Sequence, residues 1–415
     1  MRKLFRKLWN DDRGNALIIA GAALPLVIGS AGLATDTIQW TLWKRQLQRA
    51  ADSAALAGVY AKVQDNAGQT AEQAVDADLT QNHHTNIGLL GGYPEVTYPT
   101  GAGWLNGVKV KLGIQKELGF SSVFMASAPI ITAEATAATI DTGVYCVVSL
   151  EETSATGITA IGSGTIDLGC GMITNSTSLT AAIATGNASV TATPIAAVGN
   201  ISDSDNWNSA ELLPYTLKQD DPFQDVEPTT AGCPGGQLKV NSNQAASVTP
   251  GCYSKIDFDG NVTMADGTYI IDGGSLSIGA QASVTCNSCT FVLTNSDPSS
   301  TAAIGSVTIN GGAHVELAPP TSGTYKNLLI YQDRRATWTS GSVNKINGDA
   351  SSILKGAFYF PSQQLQINGS AGLDFGCAQL VARRVEFSGD GSITNSCPGG
   401  YGGGSIMGKH VRLVA

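Results

Sequence analysis

Residues 13–57 read RGNALIIAGAALPLVIGSAGLATDTIQWTLWKRQLQRAADSAALA, and how this stretch is read decides how the rest of the chain is read. From Asn15 to Thr35 there is no charged side chain, and only Asn15, Ser30 and Thr35 carry polar ones. A helix needs about 20 predominantly apolar residues to cross a bilayer, so a transmembrane helix is predicted over 15–35. Pro25 lies mid-span, where it kinks a membrane helix without abolishing it. Arg2, Lys3, Arg6, Lys7 and Arg13 crowd directly before the span. The positive-inside rule places this basic tail, 1–14, in the cytoplasm and everything after the span on the far side. Lys44, Arg45 and Arg49 follow at a distance, after Asp36. A cleaved secretory signal is the rival reading, with an A-x-A-like site around Ala31 to Ala34. The apolar core of such a signal runs only about 7–15 residues.

Beyond the span, Asp36 to Val63 continues as helix. Trp40 and Trp43 fall where amphipathic rings favour a membrane interface. The Ala-rich run Arg49 to Ala57 has high helix propensity and admits a close neighbour. A second helix is predicted over Ala71 to Leu79, then a loop over Gln81 to Asn86. His83 and His84 are adjacent, do not share a helix face, and read as loop histidines rather than a metal pair. Near Val96 the period changes. Val108 to Leu112 alternates as a half-buried strand does; Leu118 to Met125 and Ile130 to Ile140 read as further strands. Segment 36–142 is thus expected to be a compact α+β unit.

The resemblance now becomes specific. Arg13-Gly14-Asn15, the apolar helix with Pro25, Gly32-Leu33-Ala34-Thr35-Asp36 and Leu47-Gln48-Arg49-Ala50-Ala51-Asp52-Ser53-Ala54-Ala55-Leu56-Ala57 resemble the N-terminal segment of the TadE/TadG-like family of Flp (tight adherence) pilus-assembly proteins. Gly119-Phe120-Ser121-Ser122-Val123 and the Ala/Thr-rich strand to Ile140 resemble it more loosely. The resemblance implies an inner-membrane or pilin-like protein serving an adhesion pilus. Pilin-like relatives that are cleaved after a Gly carry Glu five residues on. Counted from Gly14 that position is Ile19, which implies a retained anchor rather than a processed subunit.

Lys and Arg total 24 against 33 Asp and Glu, a net charge of −9. Phosphate binding needs a dense basic patch, so nucleic acid is not an expected partner. Charged residues make up 14% of the chain and Gly contributes 49 residues. That bias, with short apolar triplets recurring through it, reads as many short strands and turns rather than as disorder. All eight cysteines follow the span: Cys146, Cys170, Cys233, Cys252, Cys286, Cys289, Cys377 and Cys397. An even number on one side of a membrane suggests disulfides in an oxidising compartment, here the periplasm. Of the 105 pairings open to eight cysteines, sequential neighbours are the simplest: 146–170, 233–252, 286–289 and 377–397. Free buried thiols or a metal site are the other readings. The CxxC of Cys286 and Cys289 has no second CxxC and no suitable His beside it.

From 143 to 415 helical periodicity disappears. Short apolar strands such as Gly157 to Ile161, Ser275 to Ile278, Thr290 to Leu293, Asn327 to Tyr331, Ala357 to Phe360 and Ala378 to Val381 alternate with Gly, Asn, Ser and Asp turns. Such strands fit an all-β right-handed parallel β-helix (solenoid), in which each coil buries its apolar residues on the next. A β-sandwich is the alternative. An irregular acidic insertion at 202–230 breaks the pattern and reads as a lid or a linker between two solenoid halves. Asp203, Asp205, Asp220, Asp221 and Asp225 lack EF-hand spacing. Asp297-Pro-Ser299-Ser-Thr301 matches the loose DxSxS pattern of a von Willebrand A metal site, but without that fold's helices.

Parallel β-helices also host polysaccharide lyases and hydrolases that work with clustered carboxylates. The nearest candidates are Asp333-Arg334-Arg335 and Arg383-Arg384 with Glu386. Strand alternation puts Arg383 and Val385 on one face and Arg384 and Glu386 on the other, as solvent-facing charge. Pro398 to Gly404 lacks the GK[ST] ending of a phosphate loop. The sequence therefore assigns no catalytic residue, metal or cofactor. It predicts a single-pass bacterial inner-membrane accessory protein, cytoplasmic at its N-terminus and periplasmic beyond the span. Its expected partners are pilus-assembly or pilin-like proteins, with a carbohydrate surface ligand as a further option. A membrane-tethered carbohydrate-active enzyme is the alternative.

Overall fold

A computed structural model describes residues 14–64, 68–81, 87–229, 233, 235–299, 301–338, 342–349, 351–369, 372–397 and 405–414. The basic tail, His83, His84 and 398–404 lie outside them. The chain divides into two compact units, Met1–Ile140 with Val411–Ala415, and Asp141–His410.

The first unit is built on one helix, α1 (Gly14–Gln64), which runs without interruption through Pro25. Its two halves have opposite surroundings. Ile19, Leu24, Leu26, Val27, Ile28 and Leu33 are exposed, whereas Leu47, Ala50, Ala51, Ala54, Ala55 and Val59 are fully buried. The first half is long and apolar enough to cross a membrane. The second half packs on α2 (Ala71–Gln81) and β2 (Leu105–Gln115). Small side chains make this approach possible: a methyl on Gly58 would sit 2.9 Å from Val108. Thr70 and Gln73 cap α2 reciprocally, each side chain bonding the other's backbone N–H, the two-way box that satisfies orphan donors at a helix start. β1 (Glu95–Thr97) and β3 (Ile130–Ser149) flank β2, both antiparallel to it. Val108, Val110, Leu112 and Ile114 are buried from β2, with Ile131, Ala133, Ala135 and Ala137 from β3.

The expected strand at Leu118 to Met125 is not one. These residues form a short 3-10 turn, Ser121–Val123, in which the Ser122 N–H bonds back to the Leu118 carbonyl and that of Phe124 to the Ser121 carbonyl. The alternating letters suggested an extended chain; a tertiary partner, Asp36, bends it.

In the second unit, strands pair in parallel with the strand three places later in the chain. Leu238–Val240 pairs with Ile256–Phe258, and that with Leu276–Ile278. Ala245–Val248 likewise pairs with Asn261–Met264, and that with Ser283–Cys286. This period is compatible with the coils expected from the sequence. The pairings are parallel, so the antiparallel sandwich is set aside. Sequence alternation located most strands from 275 onward but missed those at Gly171–Thr174 and Ile195–Ala197, where Gly, Ala and Thr dilute the apolar signal, and the run of short strands from Leu238 to Asp272.

The ladder is not laid down in chain order. Val147–Ser149 pairs with Met172–Thr174 on one side and with Leu380–Ala382 on the other. The earliest strand of the unit therefore lies within the ladder, and the latest strands return to meet it. Along this ladder one column points inward: Tyr269, Phe291, Ile330, Phe358, Leu380, Val147, Met172 and Ile195. All belong to one continuous core. Their neighbours Ile270, Val292, Tyr331, Tyr359, Val381, Val148, Ile173 and Ala196 form the opposite column, and most of these pack into a second, separate cluster.

Phe358 is fully buried and meets Phe375 edge-on at 5.8 Å. Phe358→Ala should cost about 3–5 kcal/mol, whereas Leu179→Ala, at an exposed site, should stay within about 0.5 kcal/mol. Chemical denaturation followed by near-UV circular dichroism separates the two.

Candidate interaction surfaces

The outward column is apolar, and the acidic insertion covers it. Tyr325, Tyr331 and Tyr359 run along this face, with ring centroids 5.9 and 5.2 Å apart. Phe223 packs edge-on against Tyr359 at 5.4 Å. The Tyr359 hydroxyl donates to Asp221 at 2.6 Å and that of Tyr331 to the Val226 carbonyl at 2.8 Å. Thr229 donates its N–H to the Tyr325 hydroxyl at 2.9 Å. Arg334 bonds the carbonyls of Phe223 and Val226 and pairs with Asp221 and Glu227. Burial, together with the Asp221 carboxylate, pushes the Tyr359 phenol far above its usual range, so it remains a donor. At the strap's end Cys233 is bonded to Cys252, Cα atoms 5.0 Å apart. The first part of the expected insertion is not irregular: Leu212–Pro214 continues the ladder in parallel with Ile195–Ala197, and Trp207 is buried in the main core. Asp221 to Thr229 is thus a strap over this face. Asp221 is spent on holding it down, and among the described residues no group of three His, Cys, Asp or Glu side chains is placed to hold a metal ion.

The structure also pairs Cys146 with Cys170, Cys286 with Cys289 and Cys377 with Cys397, with Cα separations of 5.8, 6.0 and 4.6 Å. Separations of this size suit a disulfide. Asp297, Ser299 and Thr301 form a chain of local turns, with the Ser299 N–H bonded to Asp297 and the Thr301 N–H to Ser299.

Arg383 and Arg384 do not lie on opposite faces. Ala382 and Val385 both point into the core, and the pairing of this strand shifts register between Phe360 and Gln364 of its neighbour. The chain turns a corner there, so two consecutive side chains point outward. Both donate to Glu151, at 3.0 and 2.7 Å, and both stand over the Trp338 ring at 4.8 and 4.6 Å. Thr153 donates to Glu151 from its N–H and its hydroxyl. A pocket of about 360 Å³ opens beside them, lined by Glu151, Trp338, Pro361, Ser362 and Arg383 among others. Burial alone would raise the Glu151 carboxyl, but the bonds from Thr153, Arg383 and Arg384 outweigh it and hold the group at about 2. Asp333 is likewise held low against its burial, through Arg335. Glu386, named from the sequence, accepts instead from Gln364 and Gln366. Glu151 and Trp338 were not legible beforehand, because their partners are distant in sequence and arrive only with the late strands.

In the first unit the same kind of remote pairing joins two strings already singled out. Gly32 and Asp36 are four residues apart and share a helix face. The Phe120 ring lies against Gly32 so closely that a methyl there would sit 2.3 Å from it. Asp36 is buried; it accepts from the Phe120 N–H at 3.0 Å, the Ser121 N–H at 2.5 Å and the Ser121 hydroxyl at 2.6 Å. The turn is thereby fixed to the helix where its apolar half ends.

Residues 14–68 match the TadE/G-like family model of Flp pilus assembly, named Tad. The match covers α1 entire, with Gly32 and Asp36, and ends before Phe120 and Ser121. No curated protein and no solved structure matches the chain. The TadE/G-like segment is therefore the part tied to known proteins, and its buried carboxylate Asp36 holds a turn from outside the match.

Two outcomes follow from these sites. Glu151 is held below the ordinary value of about 4.3, so its stabilisation is present above that pH and is lost as pH falls towards 2. Glu151→Gln should cost about 2–4 kcal/mol at pH 7, discounted because the guanidinium groups are partly exposed, and should flatten the decline of stability between pH 4 and 2 in acid titrations. Asp36→Ala should release the turn, seen as faster amide exchange over 118–125 with α2 unchanged.

Proposed function

We propose that the chain is a membrane-anchored accessory protein for tight-adherence (Flp) pilus assembly or surface adhesion. Residues 15–35 hold it in the bacterial inner membrane, the N-terminus is cytoplasmic, and both units beyond the span are periplasmic. The observation that carries this reading is a coincidence of two independent findings on one helix. The family match falls on 14–68, and the large apolar side chains of that helix from Ile19 to Leu33 are exposed. Paired cysteines agree with an oxidising compartment.

The periodic parallel pairing supports reading 143–415 as a right-handed parallel β-helix, with 221–229 as its strap. Such a body acts by binding: it offers pilus-assembly or pilin-like partners a long surface of Ser, Thr and Asn side chains. The enzyme alternative gains nothing from the geometry. The carboxyl held low by its partners, Glu151, has both oxygens occupied by Arg383, Arg384 and Thr153. A carbohydrate ligand has no better support, since the Trp338 ring is engaged by the same arginines.

Deleting the gene in its own host should abolish pili and surface attachment, and the full-length copy should restore both. Normal piliation and attachment without it would overturn the proposal.

A further inference from the structure

The turn fixed by Asp36 ends in an apolar tip. Val123 and Phe124 are each 75% exposed, and Met125 is 45% exposed. No charged side chain occurs from Gly119 to Ile130. Phe124 stacks obliquely on Phe120, centroids 5.4 Å apart, so the tip continues the contact that Phe120 makes with Gly32. A rise of 1.5 Å per residue puts Gly32 inside the apolar segment, one turn short of its end. The tip is therefore held level with the last turns of that segment.

Resting on the anchor reading above, we infer that Val123, Phe124 and Met125 insert into the lipid beside the helix, and that the turn is a second membrane contact. Two features select lipid over a protein partner. The tip is continuous with the exposed apolar helix face, which the same bilayer would cover. Asp36 is the first charged side chain after the span, and a carboxylate at that depth is costly unless it is paired. The turn supplies it with three donors and places apolar side chains outside them. Trp40, 42% exposed and one turn beyond Asp36, then lies at the interface level that indole rings favour.

The test uses full-length protein reconstituted into phosphatidylcholine–phosphatidylglycerol vesicles. The eight native cysteines are paired, so Val123→Cys, Leu26→Cys and Thr97→Cys can each be labelled with an NBD fluorophore. Lipid carrying a nitroxide on the acyl chain is the quencher. The expected result is quenching at Val123 at least half as strong as at Leu26, with blue-shifted emission, and little at Thr97. Quenching at Leu26 but none at Val123 would overturn the insertion and leave the anchor standing. The same pattern with blue-shifted emission at Val123 would mean that a second copy or another protein covers the tip, which also overturns it. No quenching at Leu26 would remove the anchor, and the inference with it.

Discussion

Apart from the Phe120 ring against Gly32, the apolar half of α1 has little in the described chain to lie against. Ile19, Leu24, Leu26, Val27, Ile28 and Leu33 stay exposed, although burying each would be worth about 1.5–3 kcal/mol. From Leu47 onward the same helix buries Ala50, Ala51, Ala54, Ala55 and Val59 completely. One continuous helix therefore has two different surroundings, exposed in its apolar half and packed in the other, and the change occurs at Gly32 to Asp36. A lone carboxylate at that point would be a liability. Here it is buried under a turn that supplies its hydrogen bonds, and Gly32 is what lets the turn come close enough.

The second unit meets a different constraint. Most of its strands are short and bury little alone, although Ile353–Asn368 and Leu373–Ser388 run 16 residues each. Stability comes from columns in register: Phe291, Ile330, Phe358, Leu380 and Val147 stack inward from one strand to the next. The opposite face of that ladder is apolar too, and would be a hazard if left open. The strap closes it with Phe223 and Val226 on the tyrosines. Because Leu380–Ala382 must find Val147–Ser149, the ladder is complete only when the late strands return. Contacts of such long range make for slow folding. The 286–289 disulfide, by contrast, closes within a single turn of chain.

What was legible in the sequence follows from how local each signal is. The long apolar helix, the second helix, Val108 to Leu112 and most strands after 275 could be read because hydrophobic period is a local property. The turn at 118–125 could not, because its bend is imposed by Asp36, more than eighty residues away. The corner at Arg383 and Arg384 was lost for a similar reason: alternation assumes a straight strand, and the strand bends between two ladders. Glu151 was hidden because the arginines that mark it out, Arg383 and Arg384, lie more than 230 residues away; only Thr153 is local. The strap was recognisable as an interruption, but its route over Tyr325, Tyr331 and Tyr359 depends on a column that exists only in three dimensions.

The membrane-anchored pilus reading is tested most directly by purifying the full-length protein from detergent-solubilised host membranes. Mass spectrometry then reports both its N-terminus and the proteins that accompany it. An anchored accessory factor should retain residues 15–35 and bring pilus-assembly proteins with it. A chain that begins beyond residue 35, recovered from the soluble periplasmic fraction without those proteins, would contradict it.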